Sequence, residues 1–117
     1  MQTPLVFSNG DYPPANFLTD GGTVAAFVDF EYARFEDPHY GFAKYRVYDM
    51  DPLNDAGMVE SYLEWCGLSE REFAPRQAVR CLWTLQREVA ARGGNAGMAN
   101  YRADVLGLLR QSLARLE

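Results

Sequence analysis

Histidine and lysine each occur once in this 117-residue chain, at His39 and Lys44, and cysteine only twice, at Cys66 and Cys81. Two cysteines with no CxxC spacing frame neither a disulfide scaffold nor a zinc site. They read as two free thiols in a reducing compartment. Cations are outnumbered, and the formal net charge is −5. That balance argues against a general nucleic-acid binder, which needs a basic patch for the phosphate backbone. No apolar run is long enough to cross a bilayer. The opening MQTPLVF lacks the charged and long apolar regions of a signal peptide. The expectation is a cytoplasmic protein that binds neither nucleic acid nor membrane.

What is present is enough for one domain with a modest core: hydrophobic residues make up 48% of the chain. The patterning changes near residue 37. Before it, short apolar runs are split by Gly, Pro, Asn and Asp. LVFS (5–8), FL (17–18) and TVAAFVDF (23–30) are strand candidates, and TDGG (19–22) is a hairpin turn signal. After it, helical periodicity takes over. Asp37-Pro38 reads as a helix start with an acid cap, and Asp51-Pro52 repeats the pattern. Met58, Val59, Tyr62, Leu63 and Cys66 recur at three- and four-residue spacing. Ser69 and Glu72 fit a capping box. Pro75 is expected to open a long helix carrying Ala78, Leu82, Leu85 and Val89, ended by RGGN (92–95). A last helix places Tyr101, Val105, Leu108, Leu109, Leu113 and Leu116 on one stripe, expected to be core, as is Trp83. The fold class is therefore α+β: a small hairpin, then a mostly helical body.

Chemistry gathers at the N-terminal end, in NGDYPPANFL (9–18). Asp11 precedes Asn16 with four residues between, and Asp29 follows after the hairpin. That order is the spacing of a kinase-type phosphoryl-transfer site. A carboxylate at Asp11 would orient the acceptor hydroxyl and take its proton. An amide oxygen at Asn16 and a carboxylate at Asp29 are the hard oxygen ligands that Mg²⁺ prefers. Pro13 and Pro14 stiffen the loop between base and first ligand, which limits misplacement of reacting atoms. Spacing alone leaves a second reading open: Asp and Asn favour turns, and Asp29 would merely cap the next segment.

The segment SNGDYPPANFLTDGGTVAAFVDFEYARFEDP (8–38) resembles the catalytic segment of the aminoglycoside phosphotransferase and choline kinase-like family, which reads HGDLHPGNxL, hairpin, IDWE or IDFE, then DP and a helix. The likeness is close over residues 5–45 and only one of pattern beyond them. It implies Asp11 as catalytic base, Asn16 and Asp29 as magnesium ligands, and ATP or GTP as co-substrate. It also implies a small-molecule hydroxyl acceptor. Glu31 matches the frequent acid two positions after the metal ligand, a substrate-side or supporting role. Asn9 stands where the family has His, which braces the loop, and Gly41 where it has an Asp that ties the loop to the next helix.

The implied fold is the C-terminal lobe of a protein kinase-like fold spanning residues 1–117, with catalytic loop and hairpin in 1–36 and helical body in 37–117. No Gly-rich loop and strand lysine precede Asp11, so the nucleotide lobe is expected to be absent and the residues that would hold the nucleotide stay unassigned. A truncated chain, half of a split kinase, and a non-catalytic remnant or interaction module remain open. Apolar surface left bare would drive self-association or recruit a lobe-bearing partner. His39 reads as a first-turn residue rather than a base. Tyr40, Tyr45, Tyr48 and Trp65 read as packing aromatics, with an aromatic cage for a quaternary ammonium as the competing reading. Glu36, Asp49, Asp51 and Asp55 read as solvated acids and caps, or as an acidic rim for a cationic acceptor.

Overall fold

The computed structural model describes residues 4–8, 10, 17–47, 57–89 and 96–117. The architecture is α+β, with small antiparallel ribbons followed by a helical body. The chain divides into two compact units, Met1–Gly41 and Phe42–Glu117.

The first unit holds two ribbons. Strand β1 (Val6–Ser8) pairs antiparallel with β4 (Arg34–Glu36), in the register Val6 to Glu36, Phe7 to Phe35 and Ser8 to Arg34. Strand β2 (Phe17–Asp20) pairs with β3 (Thr23–Phe27) through a turn at Gly21 and Gly22. Both glycines have positive φ, 56° and 87°. A two-residue turn of that hand matches the twist of the strands, which explains why TDGG closes a hairpin. Cross-strand aromatic pairs hold each ribbon. Phe7 meets Phe35 edge-on at 5.7 Å between centroids, and Phe17 meets Phe27 at 5.2 Å.

Two features of this unit differ from the sequence expectation. The run TVAAFVDF leaves the ladder after Phe27 instead of continuing to Phe30. Asp29, at φ 66°, is incompatible with extended backbone and breaks the strand. The three-residue β4 was not anticipated, because RFE is too short to show an alternation of period two.

The second unit is built around a 3₁₀ helix, Tyr40–Val47, whose first residues belong to the first unit. Asp37 caps it as expected: its Oδ1 accepts the backbone N–H groups of His39 (2.8 Å) and Tyr40 (3.1 Å). The helix buries Ala43, Tyr45 and Val47. Helix α1 (Met58–Cys66) buries Val59 and Leu63, and helix α2 (Glu70–Thr84) buries Phe73, Ala74, Gln77, Ala78, Cys81 and Thr84. A π-helical turn, Leu85–Val89, continues α2, and helix α3 covers Ala96–Ala114. Val47, Cys81, Tyr101 and Val105 form a common core, with Leu85, Leu108 and Leu109 packed on it.

Polar contacts fix the 3₁₀ helix in this body. The Gln77 amide donates to the Ala43 carbonyl at 3.2 Å, and the Tyr101 hydroxyl donates to the Val47 carbonyl. A 3₁₀ segment leaves its last carbonyls unpaired, and the Tyr101 hydroxyl satisfies that of Val47 inside the core, while Gln77 ties the middle of the segment to α2. Arg46 reaches Glu60 of α1 (2.8 Å) and Glu70 of α2. Arg115, just past α3, also meets Glu70, at 3.2 Å. One carboxylate therefore joins the 3₁₀ helix to the two longer helices.

The capping box at Ser69 and Glu72 is present in both directions. It starts α2 at Glu70, so Pro75 lies inside the helix rather than at its first turn. The cap satisfies the free N–H groups five residues earlier and decides the start. RGGN (92–95) and Asp51-Pro52 lie outside the described residues. On α3 the buried line runs Tyr101, Val105, Ser112, while Leu113 and Leu116 are exposed at 48% and 43%. Leu113 lies about 100° round the helix from Ser112, and Leu116 comes after the helix has ended at Ala114. Ser112 is tolerated at zero exposure because its hydroxyl donates to the Leu108 carbonyl at 2.8 Å. Trp83, expected in the core, is 40% exposed and lies under the Arg80 guanidinium at 4.4 Å. Among the described residues no helix is long and apolar enough to cross a membrane.

Candidate functional site

The site is built in the first unit, where the chain leaves the β2–β3 hairpin. Register pairs Phe17, the residue bonded to Asn16, with Phe27, two residues before Asp29. Asp29 is the one non-glycine residue with positive φ among the described residues. Asp and Asn visit this left-handed region more readily than other side chains, yet it still costs energy. Such outliers cluster where backbone geometry serves a site. The carboxylate of Asp29 is exposed, and among the described residues it has no hydrogen-bond or ion-pair partner.

A tight turn follows directly, with the Ala33 N–H donating to the Phe30 carbonyl at 3.0 Å. Glu31 and Tyr32 are its central residues, and both are exposed. Tyr32 is where the second segment of the site arrives. Gly10, the residue before Asp11, has φ 79° and lies directly against the Tyr32 main chain. A methyl group on Gly10 would come within 2.7 Å of the Tyr32 carbonyl carbon and 2.8 Å of its Cβ. The turn at Gly10 is held by its own N–H, which donates to the Ser8 hydroxyl at 3.0 Å. Ser8 is buried at the end of β1. The β1–β4 pairing thus brings the approach to Asp11 beside the turn that follows Asp29.

The other expected site residues fall as follows. Asn9, Asp11 and Asn16 lie outside the described residues. His39 occupies the first turn after the Asp37 cap. Glu36 is only 9% exposed and pairs at 2.9 Å with Arg34, whose side chain is 56% exposed, so it is a buried strand carboxylate rather than a solvated acid or part of an acidic rim. Asp49, Asp51 and Asp55 lie outside the described residues, as does Tyr48. Tyr45 is buried at 4% exposure. Phe42 stacks flat on Tyr62, with 3.8 Å between centroids and 7° between planes, and Trp65 leans on Tyr62 at 6.2 Å. Phe42 and Tyr62 cover each other's faces, whereas Trp65, expected to pack, is 82% exposed. Gly10 and Tyr32 were not singled out from the sequence. A glycine before an acid and a tyrosine after one carry no signal until the pairing of β1 with β4 is known.

The donor chemistry suits a hard divalent cation. Among the described residues no group of three or more His, Cys, Asp or Glu side chains converges. Magnesium does not need one. It keeps waters and takes one or two protein oxygens together with substrate phosphates. One exposed carboxylate, at Asp29, with no partner among the described residues, fits that requirement.

No curated protein and no solved structure matches this chain. The model of the phosphotransferase enzyme family matches residues 2–79, two thirds of the sequence and the whole of the segment just described. With that match, and with the motif order of residues 8–38, the chain belongs to the phosphotransferase enzyme family.

Proposed function

We propose that this chain is the C-terminal catalytic lobe of an ATP- or GTP-dependent small-molecule phosphotransferase. The observation that carries the reading is Asp29: a carboxylate on left-handed backbone, unclaimed by any described neighbour, immediately before a turn that packs against the residue preceding Asp11. Asp11 accepts the proton of the acceptor hydroxyl as its oxygen attacks the γ-phosphorus. The bond from that phosphorus to the β–γ bridging oxygen breaks, and the nucleoside diphosphate leaves. Asn16 and Asp29 would hold Mg²⁺, which when bound neutralises charge on the phosphate oxygens. The hydrogen-bonded turn that directly follows Asp29 reduces the reorganisation needed when the phosphates arrive. The acceptor is a small hydroxyl compound.

A second reading is favoured by one specific observation. Leu5, Phe7, Phe27, Phe30 and Phe35 in the ribbon unit are all at least half exposed. A two-stranded ribbon is marginal in water without a covering layer. In this reading the chain is an interaction module, or half of a split kinase whose other lobe covers the ribbons.

Titration of Mg²⁺ with ATP, and separately with GTP, into the chain tests the first reading through the amide shifts of Asn16 and Asp29. Saturable shifts at both, lost in Asp29→Asn, are expected. A folded, well-dispersed spectrum that does not move at millimolar nucleotide would overturn catalysis by this chain and favour the second reading.

A further inference from the structure

The contact between Gly10 and Tyr32 has a geometric consequence for the site. Gly10 immediately precedes Asp11, and Tyr32 sits in the turn that Asp29 opens. The two main chains are so close that a methyl group on Gly10 would lie 2.7 Å from the Tyr32 carbonyl carbon. Ordinary carbon–carbon contact is about 3.5–4.0 Å. Any side chain at position 10 would therefore drive the two segments apart by roughly 1 Å. Neither side of the contact has slack. Gly10 is tied back to the buried Ser8 hydroxyl, and Tyr32 is held in the turn closed by Ala33 N–H and Phe30 C=O. The β1–β4 ladder, with Ser8 opposite Arg34, fixes both approaches.

We infer that Gly10 is a positioning residue: its bare Cα is the spacer that lets the chain just before Asp11 close onto the Tyr32 turn that follows Asp29. This rests on the phosphotransfer reading of those two acids. A base and a metal ligand that must act on one phosphoryl transfer tolerate little relative displacement. An error of about 1 Å in such a site costs on the order of 100-fold in rate.

The hairpin supplies an internal control. Gly21 also has positive φ, 56°, but a methyl group there would meet nothing within 4 Å. Gly10→Ala and Gly21→Ala thus impose the same kind of backbone strain, and only the first imposes the collision. In Gly10→Ala the amide shifts of Tyr32 and Ala33 should move and the Ala33 amide should exchange faster with solvent. In Gly21→Ala the changes should stay within residues 19–24. Where the wild-type chain turns over, Gly10→Ala should lower kcat by about 100-fold with KM changed only a few-fold. Gly21→Ala should stay within two-fold of wild type.

The wild-type chain also gives a test that needs no variant to fold. A nuclear Overhauser contact between the Gly10 α protons and the Tyr32 β protons is expected, and its absence would overturn the inference. So would a Gly10→Ala spectrum in which Tyr32 and Ala33 are unmoved. An inactive wild-type chain with the Gly10 to Tyr32 contact intact would count against the phosphotransfer reading and leave the spacer in place.

Discussion

Arg46 grips Glu70 with both ends of its guanidinium, Nη1 to Oε2 at 2.9 Å and Nη2 to Oε1 at 2.5 Å, across 24 residues of sequence. Two parallel charge-assisted bonds give direction as well as attraction, and only arginine has the planar fork to make them. The hydrogen bonds from Arg46 hold the Glu70 carboxyl below the usual carboxylate range. A depressed folded pKa stabilises the fold above the unfolded value, and that contribution is lost as pH falls through the folded pKa. Glu70→Gln should therefore lower the thermal midpoint at neutral pH and flatten its fall below about pH 4.5. Parallel acid limbs for variant and wild type, from thermal melts between pH 3 and 7, would show that the pair does not carry the dependence.

Asp29 separates stability from function. Its φ of 66° is costly for a residue with a Cβ and free for glycine. Asp29→Gly should raise unfolding free energy by about 0.5–1 kcal/mol while abolishing magnesium-dependent nucleotide binding. Asp29→Asn should leave stability nearly unchanged, because Asn also accepts left-handed backbone, and should lose the same binding. A destabilised Asp29→Gly variant would mean that the aspartate is held there by packing rather than strained for a purpose.

The two thiols should differ sharply in reactivity. Cys81 is fully buried, and burial pushes its pKa up to about 11. Cys66 is exposed at the end of α1. A thiol reagent at pH 8 should label one cysteine rapidly and the second only on unfolding. Cys66→Ser should remove the fast phase entirely. Fast double labelling of the folded chain would place Cys81 outside the core.

Pro75 interrupts α2 at its sixth residue and is exposed. A helix interior needs an N–H there to reach the carbonyl of residue 71, and proline has none. Pro75→Ala should raise stability by about 1–2 kcal/mol, less than the full ~3 kcal/mol because proline also restricts the unfolded chain. Urea unfolding would show a higher midpoint at unchanged slope. A lower midpoint would mean that the proline ring packs on something the helix needs.

Much of this molecule is determined locally, and the sequence shows it. Asp20-Gly-Gly-Thr closes a hairpin because two consecutive positive φ angles select glycine. Asp37 caps the helix that follows it, and Ser69 with Glu72 boxes the start of α2, because those hydrogen bonds span three residues. The phosphotransferase motif is legible for the same reason: its parts follow one another at short spacing within residues 8–38. The tertiary structure decided what depends on distant partners. RFE became a strand only because VFS lay beside it. Ser112 took a core place that Leu113 did not, and Trp83 lay out under Arg80, because burial is settled by the neighbour a helix face meets, not by the residue's own apolarity. Gly10 became a spacer only when β1 and β4 brought Tyr32 against it, since the space a missing side chain leaves has no meaning until another part of the chain fills it.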